Sequence, residues 1–273
     1  MITDVSFVKA NLPAIPEDAN KYSKGYAVIF AGSYKMAGAA VLCGKATLKS
    51  GAGIVRLVVP KEVYPVCAAA FLEAVYSFWD EEVDLSKASA VAFGCGIGQS
   101  KEAENLLVKL LEENTKPMLI DADGINLLSK HIDVLCKAKC PIVLTPHEGE
   151  MARLTGLTSE YIRNNREAAA KEFAMKHGAT LLLKGKNTVI ASPEGDVMIN
   201  PTGSVALATA GSGDVLSGVI TALMSGGAKP FEAAVTGAYI HGLSGDFAQK
   251  DLGQRSVMAS DIIEYLPKAF KEC

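Results

Sequence analysis

The chain has 273 residues, is 49% hydrophobic and carries a formal net charge of −3 at pH 7. This composition supports a large buried core, and the lack of a lysine and arginine cluster argues against nucleic acid or an anionic membrane as the main partner. No apolar run is long enough to span a bilayer, and the first residues lack a signal-peptide pattern. We therefore expect one cytoplasmic domain over residues 1–273 that acts on small molecules.

Short runs rich in β-branched residues alternate with stretches of helical periodicity along the chain. Repeated strand–helix units predict an α/β fold with a mostly parallel central sheet and helices on both faces. The predicted strands are 26–31, 54–59, 74–78, 89–93, 118–121, 142–144, 180–184, 188–191 and 197–199, of which the last two form a hairpin. The predicted helices are 37–49, 62–70, 101–114, 123–128, one long helix over 159–177, and one that begins near 213 and ends near 226.

Six cysteines are scattered through the sequence, mostly within apolar runs, which suits reduced thiols better than a disulfide framework. Cys136 and Cys140 follow His131 with a spacing that raises the question of a metal site. Because no second cysteine or histidine pair accompanies them, we interpret both cysteines as buried thiols.

The segment 208–217 is the most informative in the chain, because it combines two glycines with a carboxylate at a loop-to-helix junction. Gly211 and Gly213 have no Cβ, so a phosphate can approach the main chain and the free N–H groups of the helix N-terminus. Asp214 falls in the first turn, where it could accept a proton from an attacking hydroxyl. The alternative is that Asp214 only stabilises the helix dipole.

The familiar nucleotide-binding fingerprints are absent from the sequence. The Walker A pattern Gly-x-x-x-x-Gly-Lys-Ser/Thr does not occur. The glycine pairs at 94–96 and 211–213 both lack the third glycine or alanine of a dinucleotide fingerprint. A phosphate-handling chain of this kind therefore requires a different nucleotide fold.

The turn 145–150, Thr-Pro-His-Glu-Gly-Glu, follows a predicted buried strand and brings polar side chains to the carboxyl edge of the sheet. Glu150 could hold Mg²⁺ through water, because magnesium is bound by few carboxylates and keeps much of its hydration. His147 could contact a phosphate or a hydroxyl of a substrate. Two alternatives stay open: helix stabilisation by Glu148 and Glu150, and a structural role for His147.

Three other turns follow predicted strands at the same edge. Residues 184–188, Lys-Gly-Lys-Asn-Thr, offer two cations and two side-chain donors to a nucleotide phosphate, or else form a tight hairpin. Residues 121–126 contain two acids, of which Asp123 alternatively caps the following helix. Residues 94–98 either bring backbone amides against a ligand or simply turn the chain.

Taken in order, these motifs resemble the ADP/ATP-dependent NAD(P)H-hydrate dehydratase family. The resemblance covers about residues 21–266 and rests on eight segments in family order: 31–33, 38–40, 50–53, 94–98, 121–123, 146–150, 184–185 and 210–214. It implies a ribokinase-like fold and the repair of NADH or NADPH whose nicotinamide ring has been hydrated. In that reaction ADP or ATP phosphorylates the ring hydroxyl, and elimination of phosphate then restores the double bond.

The resemblance also implies roles for individual residues. Asp214 would be the catalytic base, and Gly211, Ser212 and Gly213 would stabilise charge on the transferring phosphoryl group. Glu150 matches the acidic position that helps to organise Mg²⁺ through water. The adenine nucleotide, ADP or ATP, would contact Lys184, Gly185, Lys186, Asn187, Thr188 and Gly213. The hydrated dinucleotide would contact Ala39, Gly98, His147 and Asp214.

The chain departs from the family pattern in a few places. Members commonly have His-Lys-Gly where this chain has Asn20, Lys21 and Tyr22, and often have proline where Cys95 and Glu148 stand. Many members also carry an N-terminal epimerase domain, which we do not expect here, so a separate NAD(P)H-hydrate epimerase would be the functional partner. The resemblance favours a homo-oligomer and, among these, a tetramer.

Two other functions share part of the pattern. A ribokinase-like kinase of hydroxymethylpyrimidine, hydroxyethylthiazole or a sugar would use the same anion loop and Asp214 but release a phosphorylated product. A nucleotide-sensing module would bind its ligand without turnover. Retention of Asp214, Glu150 and both lysines of 184–188 favours an enzyme over a sensor.

Overall fold

The computed structural model describes residues 1–273, which form a nine-stranded sheet with helices on both faces. The strands are β1 Tyr26–Phe30, β2 Ile54–Val59, β3 Val75–Phe78, β4 Ala90–Phe93, β5 Met118–Ile120, β6 Ile142–Leu144, β7 Thr180–Leu183, β8 Thr188–Ala191 and β9 Val197–Asn200. In space they run in the order β3-β2-β1-β4-β5-β6-β7-β8-β9. All neighbouring strands from β3 to β7 in this order are parallel. The pairs β7–β8 and β8–β9 are antiparallel. The predicted mostly parallel sheet is confirmed.

Eleven α-helices connect and cover the strands. They are α1 Val5–Asn11, α2 Ala37–Lys49, α3 Tyr64–Ala70, α4 Lys101–Glu113, α5 Asp123–Leu128, α6 Glu148–Thr155, α7 Ser159–Asn164, α8 Arg166–His177, α9 Ser212–Ser225, α10 Pro230–Leu252 and α11 Ala259–Glu272. Two short 3-10 turns lie at Ile132–Lys137 and Val205–Leu207. None of the helices combines the length and the apolar character that crossing a membrane requires.

Successive residues of the central strands point to opposite faces of the sheet, so each strand contributes to two apolar clusters. Val28 and Phe30 of β1 join the cluster that packs under α4 to α8, whereas Ile29 joins the one under α2 and α9 to α11. The sheet is therefore buried on both faces. Polar residues that follow the last apolar residue of a strand are held at one edge of a rigid layer.

The predicted long helix over 159–177 is wrong, because the chain leaves helical geometry at Asn165 and forms two helices, α7 and α8. Asn165 has φ −131° and ψ 38°. Its side-chain amide donates to the carbonyl of Tyr161, which is a helix-ending use of asparagine. Helical geometry holds on both sides of Asn165, which ends α7 and precedes α8.

The interpretation of Cys136 as a buried thiol is also wrong. Cys136 is exposed, and its Sγ donates to the carbonyl of Asp133 within the 3-10 turn. Val134 and Leu135 occupy the inward positions of that short turn, which leaves Cys136 facing outwards. Cys140 is buried as expected, and all six cysteines are free.

Candidate functional site

An ion pair and a hydroxyl join the carboxyl ends of β5 and β7 to helix α9. Asp121 follows β5, and its Oδ1 accepts a hydrogen bond of 2.7 Å from Nζ of Lys184, the residue after β7. The hydroxyl of Ser217 in α9 donates to Asp121 Oδ2 at 2.7 Å. The Asp121 side chain is only 2% exposed, and both of its carboxylate oxygens accept hydrogen bonds from other residues of the protein. This pairing fixes where Lys184 sits relative to α9.

The predicted anion loop lies at the N-terminus of α9, directly over this ion pair. Gly211 precedes the helix with φ +89°, and a Cβ there would lie 2.5 Å from Leu42 Cδ1, so glycine is required on both grounds. A Cβ on Gly213 would lie 3.6 Å from Lys184 Nζ, which shows how closely the loop faces the ammonium group. Asp214 stands in the first turn of the helix, as the sequence predicts. Free N–H groups and a cation thus converge on one place.

Asp214 is the titratable group whose environment most resembles that of a general base. Burial raises the pKa of Asp214 to about 7, and the negative charge of Asp121 adds to the rise. Cys95 and Lys184 oppose it. A carboxylate with a pKa near the working pH combines a useful ionised fraction with real proton affinity, which is what general-base catalysis needs.

His147 and Glu150 form the N-terminal cap of α6. Nδ1 of His147 accepts the N–H groups of Gly149 and Glu150, while Glu150 Oε2 accepts the N–H of His147 at 2.8 Å. This reciprocal arrangement is a capping box. His147 therefore has a structural role and Glu150 stabilises the helix, as the alternatives for these residues predict. Glu150 is buried, and burial raises the pKa of its carboxyl group while Lys184, 3.7 Å away, opposes the rise.

These contacts bear on whether the residues suit a magnesium ion. No group of three or more His, Cys, Asp or Glu residues is arranged to hold a metal ion. The Glu150 carboxylate faces the His147 N–H and the Lys184 ammonium. Since Mg²⁺ usually takes few protein ligands and retains water, this donor set fits an ion held mainly by nucleotide phosphates, with Glu150 acting through water.

A cavity of about 1090 Å³ opens beside the anion loop, between the β7–β8 connection, residues 200–209 and α10. The connection is a tight hairpin, because Leu183 pairs with Val189. It also lines the cavity, so the two interpretations of this segment are compatible. The predicted residues that line the cavity are Lys184, Gly185, Lys186, Asn187, Thr188, Ser212, Gly213 and His147. Asp214 and Glu150 are not among the lining residues.

The cavity wall also contains residues that sequence reasoning missed. His241 of α10 is buried, with Nε2 at 3.2 Å from the hydroxyl of Ser212. Burial lowers the pKa of His241 to about 4, so it is neutral at pH 7. Ser204 Oγ and Gln249 Oε1 are buried there with no protein partner. The one sequence signal for His241 was the position of a histidine directly after the largely apolar run 233–240.

The structure places Ala39 against the 94–98 loop, and neither Ala39 nor Gly98 lines the cavity. Gly96 packs so closely against Ala39 that a Cβ on it would lie 2.7 Å from the Ala39 Cβ. The N–H of Gly98 donates to Asp123 Oδ2 at 3.0 Å, so the alternative role of Asp123 as a helix cap is wrong. The charge of Asp123 also contributes to the raised pKa of Asp214, which indicates that this loop borders the base.

Comparison with known proteins identifies the family to which the chain belongs. A family model described as NAD(P)H-hydrate dehydratase matches residues 27–268. The chain belongs to that family. The architecture is ribokinase-like, as predicted, and the relatives include proteins named as dehydratases.

Individual relatives agree with the family match. The chain is 39% identical over 276 residues to a bifunctional NAD(P)H-hydrate repair enzyme Nnr of Moorella thermoacetica, covering 96% of this chain and 52% of the relative. It is 36% identical over 241 residues to an ADP-dependent (S)-NAD(P)H-hydrate dehydratase of Neisseria meningitidis, covering 87% of this chain and 81% of the relative. The chain thus spans about half the length of the bifunctional curated relatives it matches.

A solved structure supports the same assignment. The crystal structure of ADP/ATP-dependent NAD(P)H-hydrate dehydratase from Bacillus subtilis, co-crystallised with ATP and Mg²⁺, superposes with a TM-score of 0.88 at 30% identity. The match covers 97% of this chain and 95% of that one. Membership of the family therefore holds for the fold as well as for the sequence.

Proposed function

We propose that this chain dehydrates (6S)-NADH hydrate or (6S)-NADPH hydrate to NADH or NADPH, using ADP or ATP as the phosphoryl donor. The observation that carries the proposal is the position of Asp214: a carboxylate with its pKa raised to about 7, in the first turn of α9, behind a glycine loop that faces Lys184. The names of its relatives support the same substrate and donor.

In the proposed reaction Asp214 accepts the proton of the nicotinamide ring hydroxyl while that oxygen attacks the terminal phosphorus of the donor. The bond from phosphorus to the bridging oxygen breaks, and AMP leaves from ADP, or ADP from ATP. N–H groups of 211–213 stabilise charge on the transferring phosphoryl group, with the Lys184 ammonium beside them. The ring nitrogen lone pair then expels phosphate, and the neighbouring ring carbon loses a proton, which restores the double bond.

Specific residues would bind each reactant in this scheme. Residues 184–188 and Gly213 would hold the adenine nucleotide, because they line the cavity next to the anion loop. Ala39, Gly98 and His147 would contact the hydrated dinucleotide together with Asp214. Glu150 would orient Mg²⁺ through water, and the ion when bound would neutralise charge on the donor phosphates.

The competing kinase activity is separated from the dehydratase by its products. We would incubate the protein with hydrated NADH, Mg²⁺ and either ADP or ATP, then follow the absorbance of reduced nicotinamide and free phosphate together. The dehydratase releases one phosphate for each NADH restored. A stable phosphoester without recovery of absorbance would indicate a kinase, and nucleotide binding without any product would indicate a sensor.

We also propose that the protein is a cytoplasmic homo-oligomer, with a tetramer favoured, and that it works alongside a separate NAD(P)H-hydrate epimerase. Free cysteines are in keeping with a reducing compartment. The edge strand β3, the adjacent α3 and the connection between them expose large apolar side chains, including Val66, Leu72 and Val75, which suit a contact between copies. Light scattering of the purified protein tests this, and a monomer at micromolar concentration would contradict it.

A further inference from the structure

The guanidinium group of Arg166, the first residue of α8, lies against the back of the 184–188 hairpin. Its Nη2 donates to the carbonyl of Leu183 at 2.8 Å and to the carbonyl of Lys184 at 3.2 Å. Both acceptors belong to the backbone at the end of β7, where the chain turns into the hairpin. The cation therefore contacts the main chain that carries Lys184, and Arg166 is not among the residues that line the cavity.

Close packing at Gly185 strengthens this contact. A Cβ on Gly185 would lie 2.9 Å from both Nη1 and Nη2 of Arg166, and the residue has φ +145°. Only a glycine lets the guanidinium plane come this near to the hairpin backbone. The Arg166 side chain is 17% exposed, which is low for a long cationic side chain.

The same guanidinium also contacts the other wall of the site. Nη1 of Arg166 donates to Glu148 Oε1 at 3.1 Å, at the start of α6. Burial lowers the pKa of Arg166 and the charge of Glu148 opposes that shift, so the group stays cationic. The N–H of Lys184 further donates to the carbonyl of Pro146 at 2.8 Å. Two loops that line the cavity are thus joined by the half-buried guanidinium group and by one backbone hydrogen bond.

We propose that Arg166 is a positioning residue for the donor nucleotide: it holds the 184–188 hairpin against the 146–150 turn and so keeps Lys184 beside Asp121. This inference rests on the proposed function in taking the hairpin as the nucleotide-binding segment.

The chain offers a matched control in Arg163. Its Nε donates to Glu148 Oε2 at 3.1 Å, so it pairs with the same carboxylate, but it makes no hydrogen bond to the hairpin. Arg163 is also more exposed, at 65% of its side chain. Replacing either arginine removes one cation from Glu148, whereas only replacement of Arg166 releases the hairpin.

The test compares Arg166→Met, Arg166→Lys and Arg163→Met with the wild-type protein. Calorimetry gives the Kd for ADP, steady-state assays give kcat and KM for ADP and for hydrated NADH, and thermal unfolding gives Tm. We expect Arg166→Met to raise Kd and KM for ADP about tenfold, or about 1.4 kcal/mol, with KM for hydrated NADH changed less than about twofold. Arg166→Lys should show most of this loss, because an ammonium cannot reproduce the planar fork. Arg163→Met should match the wild type.

Three results would overturn the inference. One is an unchanged Kd for ADP in Arg166→Met, and another is an equal loss in Arg163→Met, which would assign the effect to Glu148 alone. The third is a general loss in which kcat and Tm fall and both KM values rise together, which indicates general loosening. If the wild type restores NADH and binds ADP, these results leave the proposed function intact, whereas a wild type that binds no ADP overturns both.

Discussion

Asp214 is the residue on which the chemistry depends, and its surroundings explain why a carboxylate can act as a base there. Burial and the nearby charge of Asp121 hold its pKa at about 7, while Lys184 limits the rise. A first-turn acid that only stabilised a helix dipole would gain from being ionised, and its pKa would fall. The direction of the shift therefore favours the catalytic interpretation of Asp214 over the structural one.

The raised pKa predicts the pH dependence of turnover. Asp214 must be ionised to accept a proton, so kcat/KM should fall about tenfold per pH unit below pH 7 and level off above it. The measurement is the rate of NADH recovery from pH 5.5 to 9 at limiting hydrated substrate. ADP affinity, determined over the same range, separates titration of the base from titration of the donor. A flat profile down to pH 5.5 would argue against Asp214 as the base.

The same shift predicts that Asp214→Asn stabilises the protein at high pH. The unfolded chain ionises Asp214 near its ordinary pKa of 3.8, but the native state does so only near 7. Above pH 7 ionisation therefore disfavours the native state, and this cost shrinks as the pH falls from 7 towards 4. We expect the variant to unfold at a higher temperature at pH 8, by about 2 °C or more, with a smaller difference at pH 5. An equal or lower Tm at pH 8 would contradict the assignment.

At the scale of elements, the periodic segments were predicted well and the boundaries set by single side chains were not. Helix α2 and strand β2 begin and end where the sequence predicts, because apolar spacing and flanking glycines mark both. The break at Asn165 is a change of backbone angles at one residue, and the short helix α1 is capped by the side chain of Asp4. Local features of this kind leave little trace in a periodic pattern.

The turn after β4 gives a test of how tightly the site is assembled. Gly94 has φ +125°, and a Cβ there would collide with the backbone carbonyl of Asp121 and approach the N–H of Gly124 within 2.8 Å. Gly94→Ala should therefore strain the backbone and displace the strand end that carries Asp121. We expect a loss of about 3 kcal/mol or more in the free energy of unfolding, measured by urea denaturation.

Gly227→Ala is the matched control for that variant. Gly227 has a similarly positive φ of +102°, but nothing lies within 4 Å of a Cβ placed there. Its substitution isolates the backbone penalty, which we expect to be about 1 kcal/mol. If both variants lose the same free energy, close packing at Gly94 does not constrain the site.

For the whole molecule, the sheet holds Asp214 near two regions that are built from different segments. On one side lies the cavity with the 184–188 hairpin, and on another the 94–98 loop meets Ala39. The sequence predicted both regions, because each follows a strand at the carboxyl edge of the sheet. It did not predict His241 or Arg166, which lie on α10 and α8 and reach the site through packing. It also gave no role to Ser217, one turn after Asp214 on α9, because that role depends on the contact with Asp121.

The roles proposed for individual site residues stay predictions, and the fold explains why the sequence could not assign them fully. His147 and Glu150 satisfy a helix cap and also stand at the site, so their residue types suit both roles. In the sequence Asp121 is one of several acids that follow strands, yet in the structure it pairs with Lys184 and raises the pKa of Asp214. Such shared roles depend on distances between strand ends, which spacing along the chain does not encode.

The most direct test is the rate of NADH recovery by Asp214→Asn at pH 8 with saturating ADP, alongside the Kd for ADP. Loss of the base removes proton transfer but leaves the cavity, the hairpin and Lys184 in place. The account predicts that kcat falls by about 10²–10⁴-fold while the Kd for ADP stays within about threefold of the wild-type value. Turnover by the variant within tenfold of the wild type would contradict it.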